Sequence, residues 1–189
     1  MKFIKEFSAN PVQIGAIAAS SRGLAELITH TADLGNKKCV VEFGSGDGVF
    51  TEKILQRINS GCVFFALEIN DRFVKMTKHR CKNAIVYNDS AANINKYLNL
   101  HNKRHCDCII SGLPWAAFDR KLQNTLLEVA YDSLEKDGVF LTFAYIQGLL
   151  LPSGRAFKQL VNSKFKIVKK TKVVWWNLPP AFVYYCKKK

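Results

Sequence analysis

Short apolar runs alternate along this chain with stretches in which apolar positions return every three or four residues. The first clear run, from Cys39 through Val40 and Val41 to Glu42 and Phe43, enters a turn with Gly44, Gly46 and Gly48. Phe50, Ile54, Leu55 and Ile58 follow at helical spacing. A strand, a tight turn and a helix start are predicted there. Residues 62–67 predict a strand ending at Glu68. Residues 71–80 read as a helix, to which Phe73, Val74 and Met76 contribute the apolar positions. Residues 84–87 read as a strand ending at Asn88-Asp89. A helix runs from Ser90 or Ala91 to Leu100, with Ile94, Tyr97 and Leu98 on one side. Residues 106–110 form the next strand, which stops at Ser111-Gly112-Leu113-Pro114-Trp115. Leu122, Leu126, Leu127, Val129, Ala130 and Leu134 mark a long amphipathic helix closed by Asp137-Gly138. Residues 139–145 make a fifth strand. Such alternation predicts an α/β fold, a largely parallel sheet with helices on both faces.

The end of the chain changes pattern. Residues 165–176 and 182–186 both read as strands, and the link Asn177-Leu178-Pro179-Pro180-Ala181 is too short for a crossover helix. These last two of seven strands are therefore predicted to be antiparallel. Residues 146–164 receive no assignment.

Composition narrows the partners. The chain has 189 residues and a formal net charge of +13, which suits a polyanion, either nucleic acid or an anionic membrane surface. Six cysteines at irregular spacing fit a reducing compartment. Glu6 and Pro11 interrupt any secretory signal, and no run is long enough to span a bilayer. The expected location is the cytoplasm, peripheral on the inner face of the membrane. Phe3, Ile4, Phe7, Ile14 and Ile17 fall near one helical face beside Lys2 and Lys5. Residues 1–30 are accordingly expected to form an amphipathic segment for membrane contact and pocket cover, and residues 31–189 the catalytic domain. Lys164, Lys166, Lys169, Lys170 and Lys172 are expected to line the sixth strand. His105-Cys106-Asp107-Cys108 lacks a second cluster to complete a metal site and reads as buried thiols at a strand start. No metal is expected.

The glycine turn carries the chemistry. Its order, Glu42-x-Gly44-x-Gly46-x-Gly48, differs from the dinucleotide fingerprint, and Asp47 sits where a pyrophosphate would approach. Two carboxylates flanking the turn are expected to suit a cationic ligand without phosphate. Glu68 falls about 20 residues past the last glycine, where a carboxylate reaches a ribose hydroxyl pair. The pattern resembles motif I of the Rossmann-like class I methyltransferases, a fold that ends in an antiparallel hairpin. That resemblance implies S-adenosylmethionine (SAM) as cofactor and S-adenosylhomocysteine (SAH) as product. Glu42, Gly44, Ser45, Gly46, Gly48, Glu68, Ile69, Asp89, Ser90 and Ser111 are the candidate cofactor residues. Asp89 would accept from the adenine amino group or cap the following helix.

Ligands of an open parallel sheet bind beyond the carboxyl ends of its strands. Ser111, Gly112, Leu113 and Tyr145 are therefore the candidate catalytic residues, the 111–114 turn offering carbonyl oxygens to an amine. Ser21, Arg22, Pro114, Trp115, Tyr145, Trp176 and Asn177 are the substrate candidates. Arg22 is read as a phosphate ligand at a helix start. Tyr145, Trp115 and Trp176 are read as cation–π partners of a methylammonium.

Two families share this arrangement. Ribosomal RNA adenine dimethyltransferases carry N-L-P-[YF] after the fourth strand, whereas this chain reads Ser111-Gly112-Leu113-Pro114-Trp115 and lacks that Asn. Bacterial phospholipid N-methyltransferases are resembled over residues 7–185. The matching segments are Asn10 to Ala25, Ser111-Gly112-Leu113-Pro114, Phe143-Ala144-Tyr145 and Trp176 to Ala181. That resemblance implies stepwise methylation of phosphatidylethanolamine towards phosphatidylcholine. An ornithine lipid as acceptor, or RNA adenine N6 methylation, are the alternatives.

Overall fold

The computed structural model describes residues 22–189. Helix α1 (Arg22–Ala32) precedes β1 (Cys39–Phe43), α2 (Val49–Leu55), β2 (Val63–Glu68), α3 (Asp71–Arg80) and β3 (Val86–Asn88). Then come α4 (Ile94–Leu100), β4 (Cys106–Ser111), α5 (Arg120–Ser133), β5 (Leu134–Tyr145), α6 (Pro152–Lys164), β6 (Ile167–Lys170) and β7 (Ala181–Lys187). The seven strands form one sheet in the order β3-β2-β1-β4-β5-β7-β6. Strands β1 to β5 are parallel, and β7 runs antiparallel between β5 and β6. Strand order reverses between β1 and β4, the switch point where open α/β sheets bind ligands.

The central strands β1, β2, β4 and β7 are buried on both faces for most of their length because helices cover both, while the outer strands β3 and β6 are partly exposed. Successive β1 residues divide between the two cores: Val41 and Phe43 pack with Ile94, Leu98, Leu127 and Phe140, while Val40 packs with Leu24, Ile28, Phe50 and Ile54. The period of two in a strand sends alternate side chains to opposite layers. A fully buried Phe or Leu contributes roughly 1.5–3 kcal/mol of transfer free energy. Asp107 of β4 secures the start of β1 by accepting the Lys38 and Cys39 amides at 2.8 and 2.6 Å. Its neighbours Cys106 and Cys108 are buried, and burial pushes the Cys108 thiol up to about 12.

Three features differ from the sequence expectation. Helix α1 sinks Leu24, Ala25, Ile28 and Ala32 into the core, so a division after residue 30 falls inside an integral helix. The amphipathic stretch of residues 2–17 lies outside the described residues. Strand β6 ends at Lys170, far short of residue 176. Thr171 ends the regular ladder: its hydroxyl accepts the Val183 amide at 2.9 Å, and beyond it only Val174 bridges to Ala181. Lys164 belongs to the end of α6 and pairs with Glu128 at 2.8 Å, leaving Lys169 and Lys170 on β6. The third feature is α6 itself, in the unassigned stretch. Pro152 opens it and Phe157 and Val161 are buried beneath it.

Candidate functional site

The glycine turn joins β1 to α2 at the switch point. Gly44, Gly46 and Gly48 have φ of 74°, 55° and 85°, a region that L side chains rarely adopt. Gly44 has a second reason to lack a side chain, since a Cβ there would lie 2.9 Å from Leu113 Cδ2. On the other side of that contact, a Cβ on Gly112 would lie 2.5 Å from the Gly44 carbonyl oxygen. The Gly112 amide donates to Phe43 O at 2.7 Å. The turns after β1 and β4 therefore touch backbone to backbone.

The acids around the turn do different work from the pair of open charges expected. Glu42 is fully buried; its Oε2 accepts from the Thr51 hydroxyl at 2.6 Å and its Oε1 meets no partner among the described residues. Burial pushes its carboxyl up to about 8, so it is largely protonated at neutral pH. Asp47 is engaged by Arg80, whose Nε donates to the Asp47 carbonyl at 2.8 Å and whose Nη2 stands 3.4 Å from Oδ2. The acidic character of the pocket thus rests on Glu68 at the end of β2. Its Oε2 accepts the Gly46 amide at 3.1 Å and its Oε1 the Asn70 amide at 2.9 Å. Burial raises its pKa, opposed by these backbone amides. The Ile69 amide also reaches this carboxylate, so part of its acceptor capacity remains for a ligand. Ser45 is buried, its Oγ 3.0 Å from the Thr77 hydroxyl, which also donates to Gly46 O at 2.9 Å.

Asp89 and Ser90 follow β3, on the same edge of the sheet. The Asp89 carboxylate accepts from Ser90 N, Asn93 Nδ2 and Tyr97 Oη at 2.7, 2.7 and 2.8 Å. Partial burial opposes its charge, but those bonds outweigh it and hold the carboxyl below its usual range. Ser90 caps the next turn through the Ala92 amide at 3.2 Å. Ile69 is half-buried, and its carbonyl accepts from Asn88 Nδ2 at 3.1 Å.

The 111–115 turn is more committed than its sequence suggests. Ser111 is buried, and its Oγ accepts from Trp115 Nε1 at 3.1 Å. Trp115 is also buried and stacks on Phe157 with centroids 4.6 Å apart. Carbonyls of Ser111, Leu113 and Pro114 accept from Thr142, Trp115 and Ala117. Among the described residues, the Gly112 carbonyl is the one in the 111–114 turn that this network leaves without a donor.

Beside this turn lies a cavity of about 250 Å³, walled by Pro114, Trp115, Phe143, Tyr145, Phe157 and Tyr184 among others. The walls are mostly apolar. The Tyr184 hydroxyl is buried and meets no partner among the described residues, and burial pushes the phenol up to about 12. Phe157 and Tyr184 escaped the sequence reading. Tyr184 had a signal, since β7 alternation places it on the face of Phe182 and Cys186.

Among the described residues, Arg22, Trp176 and Asn177 stand apart from the cavity walls. Arg22 is exposed at the start of α1, and Ser21 lies outside the described residues. Trp176 is 94% exposed. Asn177 is buried and donates from Nδ2 to the Pro179 carbonyl at 2.6 Å, across the cis Leu178–Pro179 bond.

The comparisons with known proteins follow this geometry. The chain is 26% identical over 188 residues to an ornithine lipid N-methyltransferase of Singulisphaera acidiphila, spanning 98% of this chain and 94% of that protein. An O-methyltransferase of Bacillus cereus solved with SAH superposes with a TM-score of 0.69 at 12% identity, over 99% of this chain and 90% of that one. TomG, an O-methyltransferase of Streptomyces achromogenes solved with SAM, gives 0.70 at 12% identity, over 97% and 87%.

This chain has the class I methyltransferase fold.

No family model matches the chain. Within the fold, the glycine turn and the 111–115 turn lie at the switch point, and the cavity lies on the β5 side of Pro114 and Trp115. Among the described residues, no helix is long and apolar enough to cross a membrane.

Proposed function

We propose that this protein is a SAM-dependent N-methyltransferase acting on the amine of a lipid headgroup, with an ornithine-type aminolipid as acceptor. The observation that carries the reading is the backbone contact between Gly44 and Gly112. The glycine turn thus lies directly beside a turn whose Gly112 carbonyl is spare and whose Pro114 borders the apolar cavity, an arrangement that supports the reading. Near full-length similarity to an ornithine lipid N-methyltransferase supports that acceptor over phosphatidylethanolamine.

The residues present fit the cofactor. The turn has no side chain at Gly44, Gly46 or Gly48, and Glu68 keeps acceptor capacity where ribose hydroxyls are recognised. Gly44 to Gly48 and Glu68 would hold it, with Ile69, Asp89 and Ser90 on the adenine side. When bound, SAM supplies a methyl group already activated on a sulfonium.

The protein positions and desolvates the amine. An alkyl ammonium, with a pKa near ~10.4, is unreactive until it sheds a proton. Apolar walls at Phe143, Phe157 and Trp115 disfavour its charge and lower that pKa. The Gly112 carbonyl is the acceptor on hand for an amine hydrogen. Of the three aromatics considered for the methylated cation, Trp115 is stacked on Phe157 and Trp176 faces solvent. Tyr145, half-buried in the cavity wall and packed edge-on against Phe143, is the one of the three proposed for that contact.

The test uses purified protein, labelled SAM and three acceptors in parallel: ornithine lipid and phosphatidylethanolamine, each in vesicles with an anionic lipid, and unmodified ribosomal RNA. Label chiefly in ornithine lipid is expected. Label in RNA alone would overturn the lipid reading, and label in phosphatidylethanolamine alone would overturn the choice of headgroup.

A further inference from the structure

Eight large hydrophobic side chains are exposed among the described residues, and five of them sit in two loops. Leu150 and Leu151 follow β5; Trp175, Trp176 and Leu178 precede β7. The loops leave the same edge of the sheet and are joined at their roots. Tyr145 pairs with Ala181, Val174 bridges to Ala181, and the Ile146 amide donates to Pro180 O at 3.0 Å. An exposed apolar cluster of this kind marks an interaction surface.

Charge indicates the partner. After Asp137 the sequence has no Asp or Glu and ten Lys or Arg. Arg155 and Lys158 lie exposed on α6 just after the first loop; Lys169, Lys170 and Lys172 lie exposed just before the second. Among the described residues, none of these five forms an ion pair. Arg155 is held to the first loop by donating from Nε to Leu149 O at 3.3 Å. Leucine and tryptophan tips bordered by unneutralised cations match the boundary between acyl chains and anionic headgroups. Nucleic acid would answer the cations and stack on the tryptophans, but leave Leu150, Leu151 and Leu178 in water.

We propose that these two loops form a docking face for an anionic lipid bilayer. The first loop also walls the cavity through Gly148 and Leu151. The face that meets the membrane is therefore continuous with the pocket, and an aminolipid enters from the bilayer without crossing water. This second step rests on the function proposed above; docking itself does not.

The two are separated by testing docking without cofactor or acceptor. The probe is a vesicle of phosphatidylcholine and phosphatidylglycerol, with and without bromine on the acyl chains. Full-length protein is expected to float with anionic vesicles and to lose tryptophan emission to the brominated ones. The variant Leu150→Ser/Trp175→Ser/Leu178→Ser should partition at least tenfold more weakly and lose most of the quenching, with its circular dichroism and Tm unchanged. Lys158→Glu/Lys172→Glu should lose the preference for phosphatidylglycerol over phosphatidylcholine alone. Unquenched tryptophan on bound vesicles, or a triple variant that binds like the parent, would overturn the proposal. Docking that behaves as expected in a protein that methylates no lipid amine would leave the face standing and overturn the function.

Discussion

The Cα of Gly112 faces the carbonyl of Gly44 so closely that a Cβ there would stand 2.5 Å from the oxygen. Two loops far apart in sequence thus share one backbone contact, at the place where methyl donor and acceptor must meet under the proposed function.

Gly112→Ala tests this contact. The new methyl cannot be accommodated without moving one turn, because its neighbour is backbone rather than a flexible side chain. Overpacking of this kind costs roughly 1–3 kcal/mol. Methyl transfer is expected to fall more than a hundredfold, while urea unfolding shows a folded protein of reduced stability. A variant with parental activity would break the link between the turns and catalysis.

Glu42 makes stability depend on pH. Its carboxyl is raised from 4.5 to about 8 by burial, so the folded state keeps a proton that the unfolded state releases. That contribution is fully present below about 4.5 and is lost as pH rises through about 8. Between those values, unfolding free energy should fall by up to about 1.4 kcal/mol per pH unit from this group. Glu42→Gln stays neutral, so its denaturation midpoints from pH 6 to 9 should lie flatter than the parent's. Parallel curves would mean that Glu42 is already ionised in the fold.

Tyr184→Phe removes a buried hydroxyl that satisfies nothing. Deleting a polar atom that has no partner relieves its desolvation without breaking a bond. The variant is expected to match the parent or gain up to about 1 kcal/mol in chemical denaturation. A loss above ~1 kcal/mol would show that the hydroxyl is bonded after all.

Tyr145→Ala addresses the number of methyl groups transferred. An aromatic face attracts a fixed cation more than a neutral amine. Later methylations, whose product cations carry more N-methyl groups to lie on the ring, should slow by about fivefold relative to the first, following a contact of ~1 kcal/mol. Mass spectrometry of products over time reads this directly. Equal slowing of every step would argue for a packing role instead.

Local pattern was enough to recognise the sheet. The alternation of strands and helices and the antiparallel sense of the ending emerged, and the helix at residues 71–80 emerged at its observed limits, while β6 proved much shorter than expected. Period two, period 3.6 and left-handed glycine are properties of a few neighbouring residues. Glu68 was legible for the same reason, since one βαβ unit fixes its distance from the turn. Helix α6 was missed although Pro152 announces it, because three leucines ahead of it and Gly154 within it blur the helical period.

What the chain alone determined, then, is its class and the address of its site: a class I methyltransferase fold with a glycine turn and Glu68 at strand ends. Only the tertiary structure decided what those side chains are free to do. Glu42 becomes a neutral buried acid, Trp115 is taken by Phe157, Trp176 turns to solvent, and Tyr184 joins a cavity built from four separate segments. The reason is physical. Conformational preference is settled among residues close in sequence, whereas burial, pairing and charge depend on whichever distant atoms the fold brings alongside.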